Sequence, residues 1–412
     1  MNTRRIAAVI SVIIGCCSVV MAACAGRHIE VTTESRATTA AITAADLRTR
    51  LYIYADDSMM GRRVGTKGNM MATRYIEAEV RRMGLEPAGD SGTFFQNIHP
   101  DSIRGMPRGS SFKPGTARNV VAILRGSDPV LRNEYVAIGA HNDHIGIRSA
   151  AADYDSLRAF NIELDRSGNP MWDRRIPVDK RTAARAAVHV NVDSLRRIRS
   201  ARLDSINNGA DDDGSGTVSV LEIAEHLASA PAKPKRSIIL VWHTGEEAGL
   251  LGSRWFTDHP TVPRQAIVAQ LNLDMVGRGE AIDLAGGGPN YLQLVGSRRV
   301  STELGDIVEK VNSERSTPFS FDYQYDANGD PNRIYCRSDH YSYARYGIPV
   351  TFFTTGLHAD YHQVTDEPQY INYDHMERVA ELVRDIAVRV ANLDHRPVVD
   401  KPVGSPTTAC VQ

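Results

Sequence analysis

Three consecutive aspartates, Asp211, Asp212 and Asp213, lie between Gly209 and the pair Gly214 and Gly216. Adjacent carboxylates repel one another, and a divalent cation relieves the repulsion because carboxylates are hard oxygen ligands. Glycines on both sides let the backbone take positive φ and turn the acids inward. An acidic turn ahead of a helix would explain the run if it stood alone. It does not stand alone. His141, Glu247, Asp274 and His362 each lie at or beyond the end of an apolar run. Imidazole combined with carboxylate is a donor set that suits zinc, so His141, Asp212, Glu247, Asp274 and His362 are five candidate metal ligands. Asp143, two residues after His141, can accept that ring's other N–H and set its tautomer. Glu246, beside Glu247, can stay off the metal as a general base while its neighbour binds.

The elements that must carry these groups follow from the hydrophobic pattern. Apolar runs at Asn119–Leu124, Tyr135–Ile138, Ser237–Trp242, Ile267–Leu273 and Gly347–Phe353 predict strands. Ala72, Tyr75, Ile76, Val80 and Met83 share one helix face, and Gly84 follows in the position that ends helices. Val218, Leu221, Ala224 and Leu227 mark a second helix, and Met376, Val379, Val383, Ile386 and Val390 a third. Strands alternating with helices, with polar residues at the strand ends, predict an open α/β sheet whose site lies along one edge.

The 412 residues allow one large domain or two small ones. Hydrophobic content of 42% and charged content of 24% describe an ordinary globular chain. A formal net charge of −1 argues against nucleic acid or an anionic membrane as the main partner.

Residues 1–23 read as an export signal. Arg4 and Arg5 precede an apolar stretch from Ile6 to Val20, and Met21-Ala-Ala leads to Cys24. Small residues before that cysteine resemble a bacterial lipobox, which makes Cys24 a lipid anchor on an exported, periplasmic or outer-membrane lipoprotein. Residues 24–45, rich in Thr and Ala, predict a tether. Residues 46–393 form the catalytic domain and 394–412 a loose tail. Outside the signal only Cys336 and Cys410 remain; they could pair, but they are too few for a cysteine-based zinc site.

Residues 145–207 are rich in Arg and Asp and carry one expected helix, about Val192 to Ile206. They predict an inserted, solvated subdomain. Its ends abut His141 and Asp212, so its body is expected over or beside the cleft.

Several stretches together are similar to the zinc aminopeptidases of the aminopeptidase Y type, a family that includes relatives of glutamate carboxypeptidase and the transferrin receptor. They are Ala140-His-Asn-Asp-His144, Gly209 to Gly216, Gly245-Glu-Glu-Ala-Gly249, Leu273-Asp-Met275, Ser338-Asp-His340, and His362 with Asp366. The resemblance covers about residues 46 to 393. It implies a mixed, mostly parallel sheet sandwiched between helices. It also implies two zinc ions, one held by His141 and Asp274, the other by Glu247 and His362, with Asp212 as the bridge. Glu246 matches the base that deprotonates a metal-bridging water, and Tyr335 resembles a tyrosine that steadies the oxyanion. The activity implied is removal of N-terminal residues from peptides. A dipeptidase or carboxypeptidase, a glutaminyl cyclase-like acyltransferase and a receptor-like protein with a dead site are the alternatives.

Overall fold

The computed structural model describes residues 38–99, 112–113, 115–284 and 286–412. The expected export signal, Cys24 and the first part of the expected tether lie outside them. Thr38–Gln412 forms one compact unit.

In chain order the strands are β1 (Glu86–Pro87), β2 (Phe95–Asn97), β3 (Arg118–Leu124), β4 (Tyr135–His141), β5 (Gly146–Asp153), β6 (Leu203–Asn207), β7 (Ser237–His243), β8 (Ile267–Leu273), β9 (Tyr291–Val295), β10 (Ser320–Asp322) and β11 (Val350–Thr354). Helices are α1 (Ala44–Tyr54), α2 (Lys67–Arg82), α3 (Tyr154–Arg166), α4 (Val178–Ala187), α5 (Val192–Ile198), α6 (Gly216–Ser229), α7 (Leu251–Asp258), α8 (Thr302–Ser313), α9 (His340–Ala344) and α10 (Tyr373–Ala391).

Nine strands make the central sheet in the order β1-β3-β7-β4-β8-β11-β9-β10, with β2 also paired to β3. The middle four, β7, β4, β8 and β11, run parallel. The flanks bring in antiparallel pairs, β3 to β7 and β9 to β11. Parallel central strands are covered on both faces, which is why β4, β7 and β8 are buried at every position. On β7, Ile238, Leu240 and Trp242 pack with α1, α2, α6, α8 and α10, while Ile239 and Val241 pack with Phe256 of α7 and Tyr343 of α9. The two-residue alternation thus assigns successive side chains to opposite layers. Gly84 follows α2 at φ +72°, as its position predicts.

Three expectations change. The helix read from Val192 to Ile206 stops at Ile198, and Leu203–Asn207 instead pairs with β5 as β6. Two further helices, α3 and α4, were not legible; α4 buries no residue, so it lacks the apolar period that would reveal it. The folded unit starts earlier than residue 46, because the Thr38 hydroxyl donates to Glu225 at 2.5 Å. The tail beyond residue 394 is tied down. Cys410 is disulfide-bonded to Cys336, and the Gln412 amide accepts from the Tyr335 N–H at 3.1 Å and donates to the Tyr325 carbonyl at 2.8 Å.

Candidate metal centre

β4 delivers His141 to the sheet edge. Its N–H donates to Asp213 (2.9 Å), and its carbonyl accepts from the Thr217 hydroxyl (2.7 Å), so the end of the strand is locked to the start of α6. The acidic run enters from β6 through Asn208 and Gly209, whose carbonyls are held by the buried Arg62 guanidinium at 2.6 and 2.8 Å. The peptide between Asp212 and Asp213 is cis.

The three aspartates then divide. Asp211 accepts from the Gly277 N–H at 2.7 Å and faces His358 Nε2 at 3.1 Å. Asp213 accepts from the N–H groups of His141 and Gly216, both at 2.9 Å. Asp366 accepts the N–H groups of Asp211 and Asp212. The two outer acids are therefore used up in holding the backbone. Only Asp212 turns its carboxylate into the site.

Its two oxygens face different histidines. Oδ1 lies 3.1 Å from His141 Nε2 and Oδ2 lies 3.1 Å from His362 Nε2. On the first side, Asp274 Oδ1 is 3.6 Å from His141 Nε2, while its Oδ2 accepts from Ser338 at 2.7 Å. On the second, Glu247 places Oε2 3.0 Å from His362 Nε2 and Oε1 2.8 Å from His144 Nδ1. The structure thus brings all five candidate ligands together. It adds His144, fully buried, which the sequence reading passed over; its place in the quoted His141-Asn-Asp-His144 stretch was the available signal. His362 is the open side of the group. Its side chain is 33% exposed, against 1% for His141 and 4% for Asp212.

These groups fit metal ions. His141 Nε2, His362 Nε2, Asp212 Oδ2, Glu247 Oε1 and both His144 ring nitrogens are buried without a hydrogen-bond partner. Buried polar atoms are ordinarily satisfied, so a cluster of orphans made only of imidazole and carboxylate is the donor set of a bound cation. Among the described residues two groups of donors are close enough to hold an ion, one around His141 and Asp274, the other around Asp212, Glu247 and His144. The first also includes Asp213, but its carboxylate is already committed to backbone N–H groups.

The electrostatics agree. Burial opposes protonation of His362, but Glu247 and Asp212 outweigh it and push the ring up to about 11. His141 is likewise driven well above the usual imidazole range, against its burial, by Asp274, Asp143 and Asp212. Protons on these rings stand where cations would otherwise neutralise the acids.

Glu246 follows β7 in a loop that turns at Gly245 (φ +72°). Its N–H donates to Asp143 Oδ1 at 3.0 Å, and its carboxylate makes no hydrogen bond or ion pair among the described residues. Burial pushes it well above the usual carboxylate range, with Glu247 and Asp274 adding to the effect and His141 opposing it. Asp143 therefore has a different placement from the one expected. The His141 Nδ1 lies nearest the Asp143 backbone carbonyl at 3.1 Å; the carboxylate, at 3.7 Å, is turned to the Glu246 amide.

Tyr335 is not brought to the cluster. Its ring lies under the Arg299 guanidinium at 4.2 Å and edge-on to His340, on the core side of the chain. The tyrosine that does reach the site is Tyr361. It stacks on His362 with ring centroids 3.9 Å apart, and lines a cavity of about 40 Å³ with Asp212, Glu246, Glu247 and Asp274. Burial, with Asp212 adding, holds its phenol well above the usual range, so it keeps its proton.

Histidines and carboxylates gathered at the edge of a mixed, centrally parallel sheet make an arrangement that could hold metal ions. Residues 187–387 match the profile of Peptidase family M28. The matched segment contains Asp212, Glu246, Glu247, Asp274 and His362 but not His141, which the fold brings in from β4. The chain is 27% identical over 277 residues to leucine aminopeptidase 1 of Aspergillus fumigatus, a match covering 61% of this chain and 66% of that protein, just under two thirds of its length. Among solved structures, a leucine aminopeptidase precursor from Bacteroides thetaiotaomicron superposes with a TM-score of 0.55 at 16% identity, covering 84% of this chain and 97% of the other. A glutaminyl cyclase from Porphyromonas gingivalis does so with a TM-score of 0.53 at 17% identity, over 84% and 97%. Fold alone does not separate these two activities.

Proposed function

We propose that this chain is a two-zinc exopeptidase that hydrolyses N-terminal residues from peptides. The observation that carries the reading is Asp212, whose two carboxylate oxygens each face a separate unsatisfied histidine at 3.1 Å. His141 and Asp274 would hold one ion, and Glu247 and His362 the other, with His144 behind Glu247. Bound zinc supplies a polarised scissile carbonyl and a water of lowered pKa. Glu246 is left free, with its main chain tied to Asp143, to take a proton from the attacking water and return it to the leaving amine. Tyr361, protonated and beside His362, donates to the oxyanion in place of Tyr335. Tyr361→Phe therefore lowers kcat while Tyr335→Phe leaves it unchanged; the opposite pattern would return the role to Tyr335.

Metal analysis of purified protein with a substrate panel tests the whole reading. The expected result is two zinc ions per chain, hydrolysis of aminoacyl-anilides and no action on N-blocked peptides. Release of a C-terminal residue from a blocked peptide would make the chain a carboxypeptidase, and ring closure of an N-terminal glutaminyl peptide would make it a cyclase. The export signal and the Cys24 lipobox support a lipid-anchored enzyme outside the cytoplasm. Mass spectrometry of the mature N-terminus showing unmodified residue 24 would refute the anchor.

A further inference from the structure

The insertion builds a second cavity against the metal centre. β5, α3, α4 and the loop between the helices enclose about 410 Å³ against residues 359–363, and Tyr361 and His362 form the near wall. Tyr361 also lines the 40 Å³ cavity that holds Glu246 and Asp274. The candidate ligands therefore stand between a small space and a large one. The insertion residues that roof the large one precede the segment matched by the family profile.

Its chemistry is rich in donors and poor in acceptors. Trp172 Nε1 and Asn161 Nδ2 are buried and lack hydrogen-bond partners. Arg148 of β5 and Arg185 of α4 bring two guanidinium groups, and neither pairs with a carboxylate among the described residues; Arg185 lies against the Phe160 ring at 5.1 Å. Asp165 is the one acid contributed by the insertion to this lining. Burial raises it to about 7, with His358 opposing and Asp360 adding, so it does not cancel two arginines at neutral pH. Leu157, Leu164 and Met171 supply apolar wall between these polar groups. Unpaired donors and positive charge over an apolar floor call for an anionic ligand with an apolar body.

We propose that this cavity binds the part of a short peptide that follows the cleaved bond, and that Arg148 and Arg185 take its free C-terminal carboxylate. The assignment rests on the exopeptidase reading above, because it places the scissile bond at the metals beside His362. The volume is at the lower end of the range for small-ligand pockets, which suits one or two residues rather than a long chain. The substrates are then di- and tripeptides with unblocked C-termini.

The same charge could be met by an acidic side chain, so the test separates the two sources. Three ligands that resist N-terminal hydrolysis are titrated calorimetrically into the zinc-loaded protein: acetyl-Leu-Leu, its C-terminal amide, and acetyl-Leu-Asp amide. The free acid should bind about tenfold more tightly than either amide. In the Arg148→Gln/Arg185→Gln variant that advantage should disappear, with zinc content and aminoacyl-anilide turnover unchanged, since both side chains are on the exposed rim. Equal affinity for acid and amide in the wild type, or an advantage that survives in the variant, overturns the proposal. Binding of the Asp amide as tight as that of the free acid overturns the C-terminal assignment. Absence of anilide hydrolysis in a protein that still prefers the free acid refutes the exopeptidase reading while supporting the carboxylate site.

Discussion

Two regions of this molecule bury clusters of acids, and they neutralise them in opposite ways. Between α1, α2 and α6, Glu79, Glu222 and Glu225 surround Arg50, whose side chain is 1% exposed. Arg50 pairs with all three, at 2.5 Å to Glu79, and Arg82 closes the outer side at 2.8 Å to both Glu79 and Glu225. At the sheet edge, Asp212, Glu247 and Asp274 are nearly as deeply placed, yet among the described residues no Lys or Arg forms an ion pair with any of them; their charged partners are histidines alone. A buried acid needs a cation, since leaving it unpaired in low dielectric is strongly unfavourable. In the first region the chain supplies that cation, and the cluster serves folding. In the second the chain supplies only histidines, which leaves imidazole and carboxylate together as candidate metal donors.

The largest expected effect comes from separating charge from chemistry within the second region. Glu246→Gln should lower kcat by about 10²–10⁴-fold while both zinc ions stay bound, because the side chain is not counted among the ligands. Turnover with metal quantified in the same sample checks this. Loss of zinc would make Glu246 a ligand and the two acidic clusters less different than they look.

Next, Arg50→Met should break the first region only. Removing one partner of a buried ionic network costs about 3–5 kcal/mol, because Glu79, Glu222 and Glu225 lose their shared cation. Denaturant unfolding should show that loss while zinc content at saturation is unchanged. A variant as stable as the wild type would mean that Arg82 carries the neutralisation.

The smallest effect concerns pH. Burial raises Glu222 to about 7 from 4.5, against the pull of Arg50. Below about pH 4.5 the group is protonated folded or unfolded. Between 4.5 and 7 the folded state alone keeps the proton, so this contribution to stability is lost as pH rises through that window. The loss is at most about 1.4 kcal/mol per pH unit. Glu222→Gln should flatten the dependence between pH 5 and 7 in unfolding curves, and an unchanged slope would assign it elsewhere.

What the sequence determined by itself was the set of candidate ligands and the scaffold under them. His141, Glu247 and Asp274 each close or follow a continuous apolar run, and such runs are local patterns that become buried parallel strands wherever they pack. Asp212 was a candidate from the acidic run itself and its bridging role came from resemblance; the structure supplies the reason for choosing the middle acid, since Asp211 and Asp213 are spent on backbone N–H groups far apart in sequence. Other features were decided only by the tertiary structure. Tyr335 lies in a single 3-10 turn and Tyr361 in a turn outside regular structure, both too short for a period to say which way a ring points; packing turned one under Arg299 and the other onto His362. The Arg- and Asp-rich stretch gave no sign of α4, because a helix that buries nothing leaves no apolar stripe to read. The tail seemed free in sequence until Cys410 met Cys336 and Gln412 met Tyr335, contacts that exist only once residues more than seventy positions apart are folded together. Local chemistry is written in the order of residues, while the direction of a side chain outside regular structure is set by whatever the rest of the fold packs against it.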